Sequence, residues 1–484
     1  MQTAAAGAGT ALLGAGAARA NPLNLVLPSL GIETKPSRTP VEHLVVVMME
    51  NRSVDHYLGW YGAENPDFDA TQDGVFVDLR QGPDGPVVAT ESWGERGRQN
   101  FHAREFADPS HSWSNRRTVR NGGALDGWLH PETGNDLFTL STYDAEDLPV
   151  WRQLARGWQT YDRWFASVLG PTQPNRYYLH SAQSGGLKNN DLPPQLAGEH
   201  PEWIAGFDWP TLWTLFEQFG ITCGYYFSNL PELAFWGARH LRHARHISDF
   251  YLAAATGTLP QVSILDPWFI APEGLANDDH PHADLRLGQT FLSDLISAFT
   301  SSPQYQRSAM VITYDEWGGF WDHVDPPRAP DDLATDADPG GDDDFAQLGF
   351  RIPSTVISPW TRGARVDHTT YEHSSIGKFI ADNWGLPYLN ARHAGTNSIG
   401  TAFGGFRTFD PDPSFVRYTA PLELTFEPTI EDLQRNLGGS VSDLHLLADT
   451  GWFDKLPVRT DWRFEDSFLS PSTIRQVVKS LGLG

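Results

Sequence analysis

An uninterrupted apolar run, His43–Met49 (HLVVVMM), most constrains how this 484-residue chain can fold. Runs of this kind are typical of strands covered on both faces, because a half-exposed strand alternates apolar and polar residues. The run ends at Glu50-Asn51. A second run, Ala309–Tyr314 (AMVITY), ends in the same way at Asp315-Glu316. Both runs predict buried strands that present polar groups at their carboxyl ends.

Further segments predict a sheet flanked by helices. Shorter apolar runs at Ile221–Phe227, Val262–Leu265 and Ile352–Ser358 predict three more strands. Apolar residues recur at helical spacing from Leu285 to Phe299 and again from Ile376 to Trp384. This alternation predicts an α/β sandwich with a mostly parallel central sheet. In such sheets ligands bind beyond the carboxyl ends of the strands, where both acid-bearing ends are expected.

The charge balance excludes several classes of partner. The chain carries 35 basic and 60 acidic residues, a formal net charge of −25. A field of this sign repels phosphate backbones, so we expect no nucleic-acid partner. Past the N-terminus no apolar run reaches 18 residues, which argues against a protein that spans the membrane several times.

The N-terminal residues 1–20 are small and apolar, and Ala18-Arg19-Ala20 has the small–x–small form of a signal-peptidase site. The basic start of an export signal is missing. The segment is therefore either the end of a longer signal or an Ala/Gly-rich leader without a targeting role. We expect export, to a secreted, periplasmic or cell-surface location. The single Cys223 cannot form an intrachain disulfide.

The rest of the chain, residues 21–484, is predicted to be one domain. Residues 329–344 contain seven Asp together with Pro and Gly, which is typical of a solvated loop. A calcium site is the alternative, but the spacing of the acids is not that of a calcium-binding loop. From about residue 405 onward we expect a peripheral segment, with Trp452 and Trp462 among its aromatic residues, that packs onto the main domain.

Two segments carry candidate chemistry. Glu50 and Asn51 offer oxygen ligands for a divalent cation, or form an acidic loop start satisfied by backbone donors. Thr172 lies in GPTQPNR, after the amphipathic stretch Trp151–Leu169, and the two prolines predict a fixed turn. Its hydroxyl is a candidate nucleophile if a metal lowers its pKa, and Arg176 a candidate phosphate ligand. The alternative is an ordinary proline-rich turn with a helix cap.

The densest group of reactive side chains lies in Ile312–Pro327 (ITYDEWGGFWDHVDPP). Acids and a histidine just past a buried strand suit a metal-dependent hydrolase, and Gly318-Gly319 permit close approach of the backbone. Additional histidines stand beside acids or hydroxyls elsewhere in the chain. With 17 histidines, most are expected to be structural. The candidates are Asp315, Glu316, Asp322, His323, His111, His280, His282 and His373.

Several blocks, in their order along the chain, resemble the bacterial phosphoesterase family of phosphatidylcholine-type phospholipases C and certain acid phosphatases. They extend over residues 40 to 400, and their combination is specific. The blocks are VEHLVVVMMENRSVDHYLGWYGA, HSWSNRRTVRNGGALDGW, GPTQPNRYYLHS, NDDHPHAD, ITYDEWGGFWDHVDPP and FRIPSTVISPWTRGARVDHTTYEHSSIGKFI.

The resemblance implies an alkaline-phosphatase-like α/β fold, a divalent metal ion and a threonine nucleophile. Carried over to this sequence, the metal ligands would be Glu50, Asn51, Thr172, Asp315 and Glu316. The catalytic residues would be Thr172 as nucleophile, His111 and His280 at the phosphoryl group or the leaving oxygen, and His323 and His373. A metal-bound alkoxide and nearby imidazoles would stabilise the charge that develops on phosphorus.

The phospholipase branch is the preferred interpretation, with cleavage of the glycerol–phosphate bond of a phospholipid and peripheral contact with a lipid surface. The alternatives are a broad acid phosphatase and, from another class, a non-catalytic secreted binding protein. Where the phospholipases often have Asn-Asp-Gly, this chain has Trp317-Gly318-Gly319. Trp317 and Trp321 are therefore candidates for a choline pocket through cation–π contact, unless both pack into the core.

Overall fold

The computed structural model describes residues 39–191, 206–229, 231–269, 276–404 and 408–420, so the predicted export segment 1–20 lies outside the described residues. An eight-stranded sheet with strand order β12-β6-β11-β10-β1-β9-β7-β8 forms the centre, and β2-β3 and β4-β5 form two small sheets. The strands are β1 His43–Met49, β2 Val75–Val77, β3 Val87–Ala89, β4 Glu91–Ser92, β5 Ser141–Thr142, β6 Gln159–Tyr161, β7 Cys223–Phe227, β8 Ala244–His246, β9 Val262–Leu265, β10 Ser308–Tyr314, β11 Thr355–Ile357 and β12 Val366–Asp367.

The central sheet is mostly parallel, as predicted. β1 pairs in parallel with β10 on one side and with β9 on the other, whereas β11 runs antiparallel to both of its neighbours. From Leu44 to Met49 every residue of β1 is completely buried, so both faces of the strand are covered. This explains why its sequence does not alternate. The α/β class expected from the sequence is confirmed.

The register of the central strands decides which side chains meet. Met49 at the end of β1 is opposite Tyr314 at the end of β10, and Val47 is opposite Leu265 at the end of β9. The residues that follow these strands therefore emerge together at one edge of the sheet. Those residues are Glu50, Asp315 and Asp266.

Helices pack around this sheet in two groups, one of α3, α6 and α7 and one of α4, α5, α8 and α9. The two helices predicted from apolar spacing, α7 and α8, are both present. The helices are α1 Val54–Glu64, α2 Arg116–Arg120, α3 Pro149–Gly157, α4 Thr172–Ser181, α5 Leu212–Phe219, α6 Ile247–Thr256, α7 Leu285–Thr300, α8 Ser374–Trp384 and α9 Ala391–Gly395.

Three predicted segments differ in extent. The stretch Trp151–Leu169 is not one amphipathic element, because α3 ends at Gly157 and strand β6 follows at once. The strand predicted from Ile221 begins at Cys223. The strand predicted over Ile352–Ser358 is reduced to the three residues of β11, since Pro353 has no N–H to give to a sheet ladder.

The acidic loop 329–344 is only partly solvated. The Asp331 carboxylate lies 3.1 Å from the buried guanidinium of Arg392, and the buried Asp344 pairs with Arg328 at 3.0 Å. Several other acids in the loop are exposed, as predicted. Of the segment after residue 405, residues 408–420 contact the domain, with Arg417 paired to Asp294 at 2.8 Å. Trp452 and Trp462 lie outside the described residues. In the described part of the chain no helix is long and apolar enough to cross a bilayer.

Candidate active site

The carboxyl ends of β1 and β10 are joined by backbone and side-chain hydrogen bonds. The Asn51 N–H donates to Asp315 Oδ1 at 3.1 Å, and the Arg52 N–H donates to the Glu316 carbonyl at 3.1 Å. The Glu316 N–H also donates to Asp315 Oδ1, at 2.7 Å. Glu50, Asn51, Asp315 and Glu316 are all buried. The structure therefore brings together two pairs of predicted metal ligands, Glu50-Asn51 and Asp315-Glu316. The pairs are more than 260 residues apart in the sequence.

Gly318 makes this junction possible. Its φ is +65°, in the left-handed region that favours glycine, and a Cβ there would clash with the carbonyl oxygen of Asn51. Asn51 itself has a φ of +60°, an unusual value for a residue with a side chain. Gly319, with a φ of +71°, lies equally close to the backbone of Pro109. The two glycines thus allow the loop after β10 to pack closely against the backbone of Asn51 and Pro109, as the sequence predicted.

The donor types in this cluster are those that a divalent cation binds. The side-chain oxygen and nitrogen of Asn51 and Oε1 of Glu316 are buried and have no hydrogen-bond partner within the described segments. A buried polar atom without a partner is costly unless a ligand satisfies it. Carboxylate and amide oxygens are the ligands that hard cations prefer. The guanidinium of Arg176 offsets part of the repulsion among these three buried carboxylates, and a bound cation would offset more of it.

Burial is the main reason that the pKa values of these acids are raised. Burial, followed by the charge of Asp315, raises the pKa of Glu50 well above its usual range. Burial raises the pKa of Asp315 to about 6, and burial together with the charge of Asp315 raises the pKa of Glu316 strongly. The buried Asp278, whose carbonyl accepts from the Glu50 N–H at 2.8 Å, has its pKa raised to about 8 by burial. A bound cation would favour the ionised forms of all four acids.

Thr172 is the first residue of helix α4 and not part of a free turn. Pro171 caps this ten-residue helix and Pro174 lies within its first turn, where a missing N–H costs nothing. Thr172 is 5% exposed, and no hydrogen bond to its hydroxyl is found among the described residues. A hydroxyl at a helix N-terminus lies in the positive end of the helix dipole, which favours an alkoxide and a bound phosphoryl group.

Arg176 lies four residues after Thr172, so the two side chains share one face of α4. Its guanidinium is 1% exposed and contacts carboxylates on three sides, including Asp315 at 3.0 Å and Glu50 at 3.4 Å. The interpretation of Arg176 as a phosphate ligand is therefore wrong, because its N–H groups are directed at protein oxygens. The same contacts hold the N-terminal half of α4 against the acidic strand ends.

His111 and His280 lie beside the acids, at the end of the site nearest Glu316. Nε2 of His111 is 3.9 Å from Glu316 Oε1, and the two imidazole rings are 6.1 Å apart. Each ring donates from Nδ1 to a backbone carbonyl, of Pro109 and of Pro281. Nε2 of His111 is thereby directed toward Glu316, and Nε2 of His280 lies 3.8 Å from Asp108 Oδ2. Burial lowers the pKa of both, for His280 to about 4. With Asp108 these histidines form a group that could also hold a cation.

The other two predicted histidines have different surroundings. His323 contacts Asp55 at 2.5 Å and Asp69 at 3.1 Å, in a separate charged cluster that includes Arg351. His373 is completely buried, with Nε2 bonded to the Tyr314 carbonyl at 2.9 Å and Nδ1 2.8 Å from the Ser167 hydroxyl. Burial lowers its pKa to about 3. A catalytic role for either stays a prediction that these contacts do not support.

Trp317 and Trp321 do not form a choline pocket. They are 0% and 1% exposed and belong to an apolar cluster with Trp128 and Phe350. The indole of Trp317 packs edge-on against Phe350, with ring centroids 5.4 Å apart. Both tryptophans therefore form core beneath the site, which is the alternative left open by the sequence.

Sequence reasoning missed four buried or half-buried acids around the site. Asp266 directly follows β9, as Glu50 follows β1, so the same signal was available for it. Asp278 stands in the NDDHPHAD block, of which only the histidines His280 and His282 were selected. Glu232 begins a short 3-10 helix and Asp108 lies in a loop, and no apolar periodicity marks either residue. Their positions become evident only from contacts with Arg176 and His280.

Comparison with known proteins identifies the family of this chain. The model of the phosphoesterase family matches residues 41–387. Non-specific phospholipase C1 of Arabidopsis thaliana is 32% identical over 404 residues, covering 73% of this chain and 69% of the relative. Phospholipase C B of Mycobacterium tuberculosis is 30% identical over 421 residues, covering 78% and 80%.

Among solved structures, an alkaline phosphatase superfamily protein from Vibrio parahaemolyticus covers 75% of this chain and 72% of its own, at 10% identity and a TM-score of 0.35. The lipoteichoic acid synthase LtaP of Listeria monocytogenes covers 89% and 97%, at 9% identity and a TM-score of 0.36. The match of the family model, which spans the strand ends, Thr172 and both histidines, confirms the resemblance found in the sequence. This chain belongs to the phosphoesterase family and is a phosphoric ester hydrolase.

Proposed function

We propose that this protein is a metal-dependent phospholipase C that cleaves the glycerol–phosphate bond of phospholipids, with Thr172 as nucleophile. The observation that carries the proposal is the buried cluster of side-chain oxygens at the sheet edge, next to the helix that begins at Thr172. In this cluster, side-chain atoms of Asn51 and Glu316 have no hydrogen-bond partner among the described residues. Relatives named phospholipase C at about 30% identity support the substrate class.

The metal would be held by Glu50, Asn51, Thr172, Asp315 and Glu316. A divalent cation bound there supplies a Lewis acid that favours the ionised hydroxyl and neutralises phosphoryl oxygens. The chain's own contribution is to fix these oxygens before substrate arrives, through the hydrogen bonds that join the ends of β1 and β10.

The reaction has two steps. Thr172 Oγ1 loses its proton and attacks phosphorus, and the P–O bond to glycerol breaks as the leaving oxygen takes up a proton, so that diacylglycerol departs. Water then attacks the phosphothreonine diester, which releases the phosphorylated head group and restores the hydroxyl. His111 and His280 face the phosphoryl group or the leaving oxygen through Nε2, and we assign them the proton transfers.

A diester is favoured over a monoester by charge. With 25 excess negative charges on the protein, a phosphomonoester carries one more repelled charge into the site than a diester does. A choline head group further offsets the phosphate charge. The effect is expected to be largest at low salt, before screening sets in. Since the substrate resides in a lipid layer, we also propose peripheral contact with a lipid surface.

Export completes the proposal. Residues 1–20 are small and apolar and end in a small–x–small sequence, Ala18-Arg19-Ala20, which supports a secreted, periplasmic or cell-surface location. N-terminal sequencing of the protein from its native host should find a chain that begins after residue 20. A cytoplasmic protein with the leader intact would contradict this part.

The test of function compares two substrates with one enzyme preparation. We expect higher kcat/KM on p-nitrophenylphosphorylcholine than on p-nitrophenyl phosphate, with the ratio falling as salt is added. The preparation stripped with a chelator should be inactive on both until a divalent cation is returned. A clear preference for p-nitrophenyl phosphate, without cleavage of phospholipid micelles, would favour the acid phosphatase instead.

A further inference from the structure

The guanidinium of Arg176 is surrounded by four carboxylates. Nε donates to Asp315 Oδ2 at 3.0 Å. Nη1 donates to Asp266 Oδ1 at 3.2 Å and to Glu232 Oε2 at 3.3 Å. Nη2 lies 3.4 Å from Glu50 Oε1 and donates to the Met49 carbonyl at 3.3 Å. The buried guanidinium of Arg176 thus contacts acids that follow three adjacent parallel strands, β1, β9 and β10.

These four acids fall into two pairs with different neighbours. Glu50 and Asp315 are proposed metal ligands. Asp266 and Glu232 lie on the other side of the guanidinium, where the Tyr225 hydroxyl donates to Asp266 and accepts from the Glu232 N–H at 2.9 Å. Gln173, on the first turn of α4, donates to Glu232 at 3.2 Å. The outer pair is therefore anchored to the domain independently of any metal.

We propose that Arg176 is a positioning residue, which orients Glu50 and Asp315 toward the cation and fixes Thr172 against them. Asp266 and Glu232 serve as its anchors. The inference rests on the proposed function, because it concerns the ligands of that metal site. Three separate directions of donation are needed, which the planar fork of arginine provides and the single ammonium of lysine does not.

The geometry also explains why Thr172 and the acids need such a link. Thr172 is on α4, whereas the oxygen ligands follow strands of the central sheet, and no backbone hydrogen bond among the described residues joins the first turn of α4 to those strand ends. Arg176 supplies that connection one helical turn along the same face. A small rotation of α4 would move the Thr172 hydroxyl relative to the proposed metal ligands. In-line attack on phosphorus is sensitive to such a displacement of the nucleophile.

The test measures Mn²⁺ binding by isothermal titration calorimetry, together with kcat and KM on p-nitrophenylphosphorylcholine at saturating Mn²⁺. For Arg176→Lys we expect a Kd for Mn²⁺ weakened about 10-fold to 100-fold, the range found for residues that orient metal ligands. Because Arg176 does not reach the substrate, kcat should fall while KM changes little. Glu232→Gln and Asp266→Asn should show the same pattern, more weakly.

Arg392→Lys is the matched control. Arg392 is equally buried and lies close to two carboxylates, Asp331 at 3.1 Å and Glu372 at 3.8 Å, but contacts none of the proposed metal ligands. Its loss should lower thermal stability and leave the Kd for Mn²⁺ unchanged. If Arg176→Lys does not fold, the two anchor variants decide the question.

Folded Arg176→Lys, or both anchor variants, with wild-type Kd and kcat would overturn the proposal. A raised KM with unchanged kcat in Arg176→Lys would also overturn it, because that split indicates direct contact with substrate. The wild-type titration is done before any variant is compared. A wild-type protein that binds no Mn²⁺ would overturn the proposed metal site itself.

Discussion

The hydroxyl of Thr172 is the proposed nucleophile. Thr172 is 5% exposed and heads a helix whose fifth residue is bonded to the acid cluster. In the proposed reaction the neighbouring acids hold a cation, and none of them can replace the hydroxyl. A variant of Thr172 therefore tests the chemistry separately from the fold.

We expect Thr172→Val to reduce kcat on p-nitrophenylphosphorylcholine by at least about 10³-fold, as losses of a nucleophile do. Valine keeps the branching at Cβ, and no hydrogen bond of the hydroxyl is lost within the described structure, so the melting temperature should change little. Thr172→Ser, which keeps a hydroxyl, is the control and should retain measurable turnover. Near wild-type rates in the valine variant would exclude the covalent route.

Trp317 provides a second test at this scale. Because its side chain is completely buried against Phe350, Trp317→Ala should cost about 3–5 kcal/mol in the free energy of unfolding. Choline and ethanolamine lipids should be affected to the same extent. Urea unfolding and hydrolysis of the two lipids measure this. If the variant hydrolyses choline lipids more slowly but ethanolamine lipids normally, at unchanged stability, Trp317 binds choline and the structural interpretation is wrong.

The elements of the fold were predictable where burial dictates sequence. β1 and β10 lie between neighbours on both sides, so their apolar runs and the acids after them were evident. The short β11 and the first turn of α4 were not, because prolines there are equally compatible with a strand edge, a turn or a helix start. Glu232 was missed because its role depends on a contact with Arg176, 56 residues away, which local patterns do not encode.

At the scale of elements, Gly318 decides how closely the loop after β10 approaches the loop after β1. Gly318→Ala would place a Cβ against the Asn51 carbonyl and a non-glycine residue at a φ of +65°. We expect weaker Mn²⁺ binding and a loss of at least about 1–2 kcal/mol in the free energy of unfolding, from backbone strain alone.

Gly122→Ala is the control for this variant. Gly122 has a φ of +62°, but a Cβ there would meet nothing within 4 Å. The Gly122→Ala variant should lose free energy of unfolding through backbone strain but keep its affinity for Mn²⁺. Equal effects of the two variants on Mn²⁺ affinity would contradict the role given to the close approach.

The molecule as a whole carries a large excess of acidic residues, and several of them are buried. Burial raises the pKa of Asp278 to about 8, of Asp266 to about 7 and of Asp315 to about 6. In the unfolded chain such groups titrate near about 4. Between these values the folded, metal-free protein binds protons that the unfolded chain has lost. The contribution of these acids to the free energy of unfolding must then decrease as pH rises.

We therefore expect the melting temperature of the chelated protein to fall as pH is raised from about 7 to about 8, through the raised pKa values of Asp266 and Asp278. In this range histidines are uncharged in the unfolded chain as well, so buried histidines with lowered pKa values, such as His280, do not oppose the change. Saturating Mn²⁺ should reduce the decline, because the cation takes the place of the protons on its proposed ligands Glu50 and Glu316, whose pKa values are raised well above the usual range. Differential scanning calorimetry across this pH range, with and without Mn²⁺, measures the effect. Identical slopes in both conditions would argue against a cation at Glu50 and Glu316.

The central claim is that this phosphoesterase cleaves phospholipids on the glycerol side of phosphorus by means of Thr172 and a bound cation. Mass spectrometry of the products from phosphatidylcholine micelles tests it most directly. With Mn²⁺ present, the wild-type protein should yield diacylglycerol and phosphocholine in equal amounts, and neither should form after chelation or with Thr172→Val. Release of phosphatidic acid and choline, or inorganic phosphate from monoesters with intact phosphatidylcholine, would contradict the account.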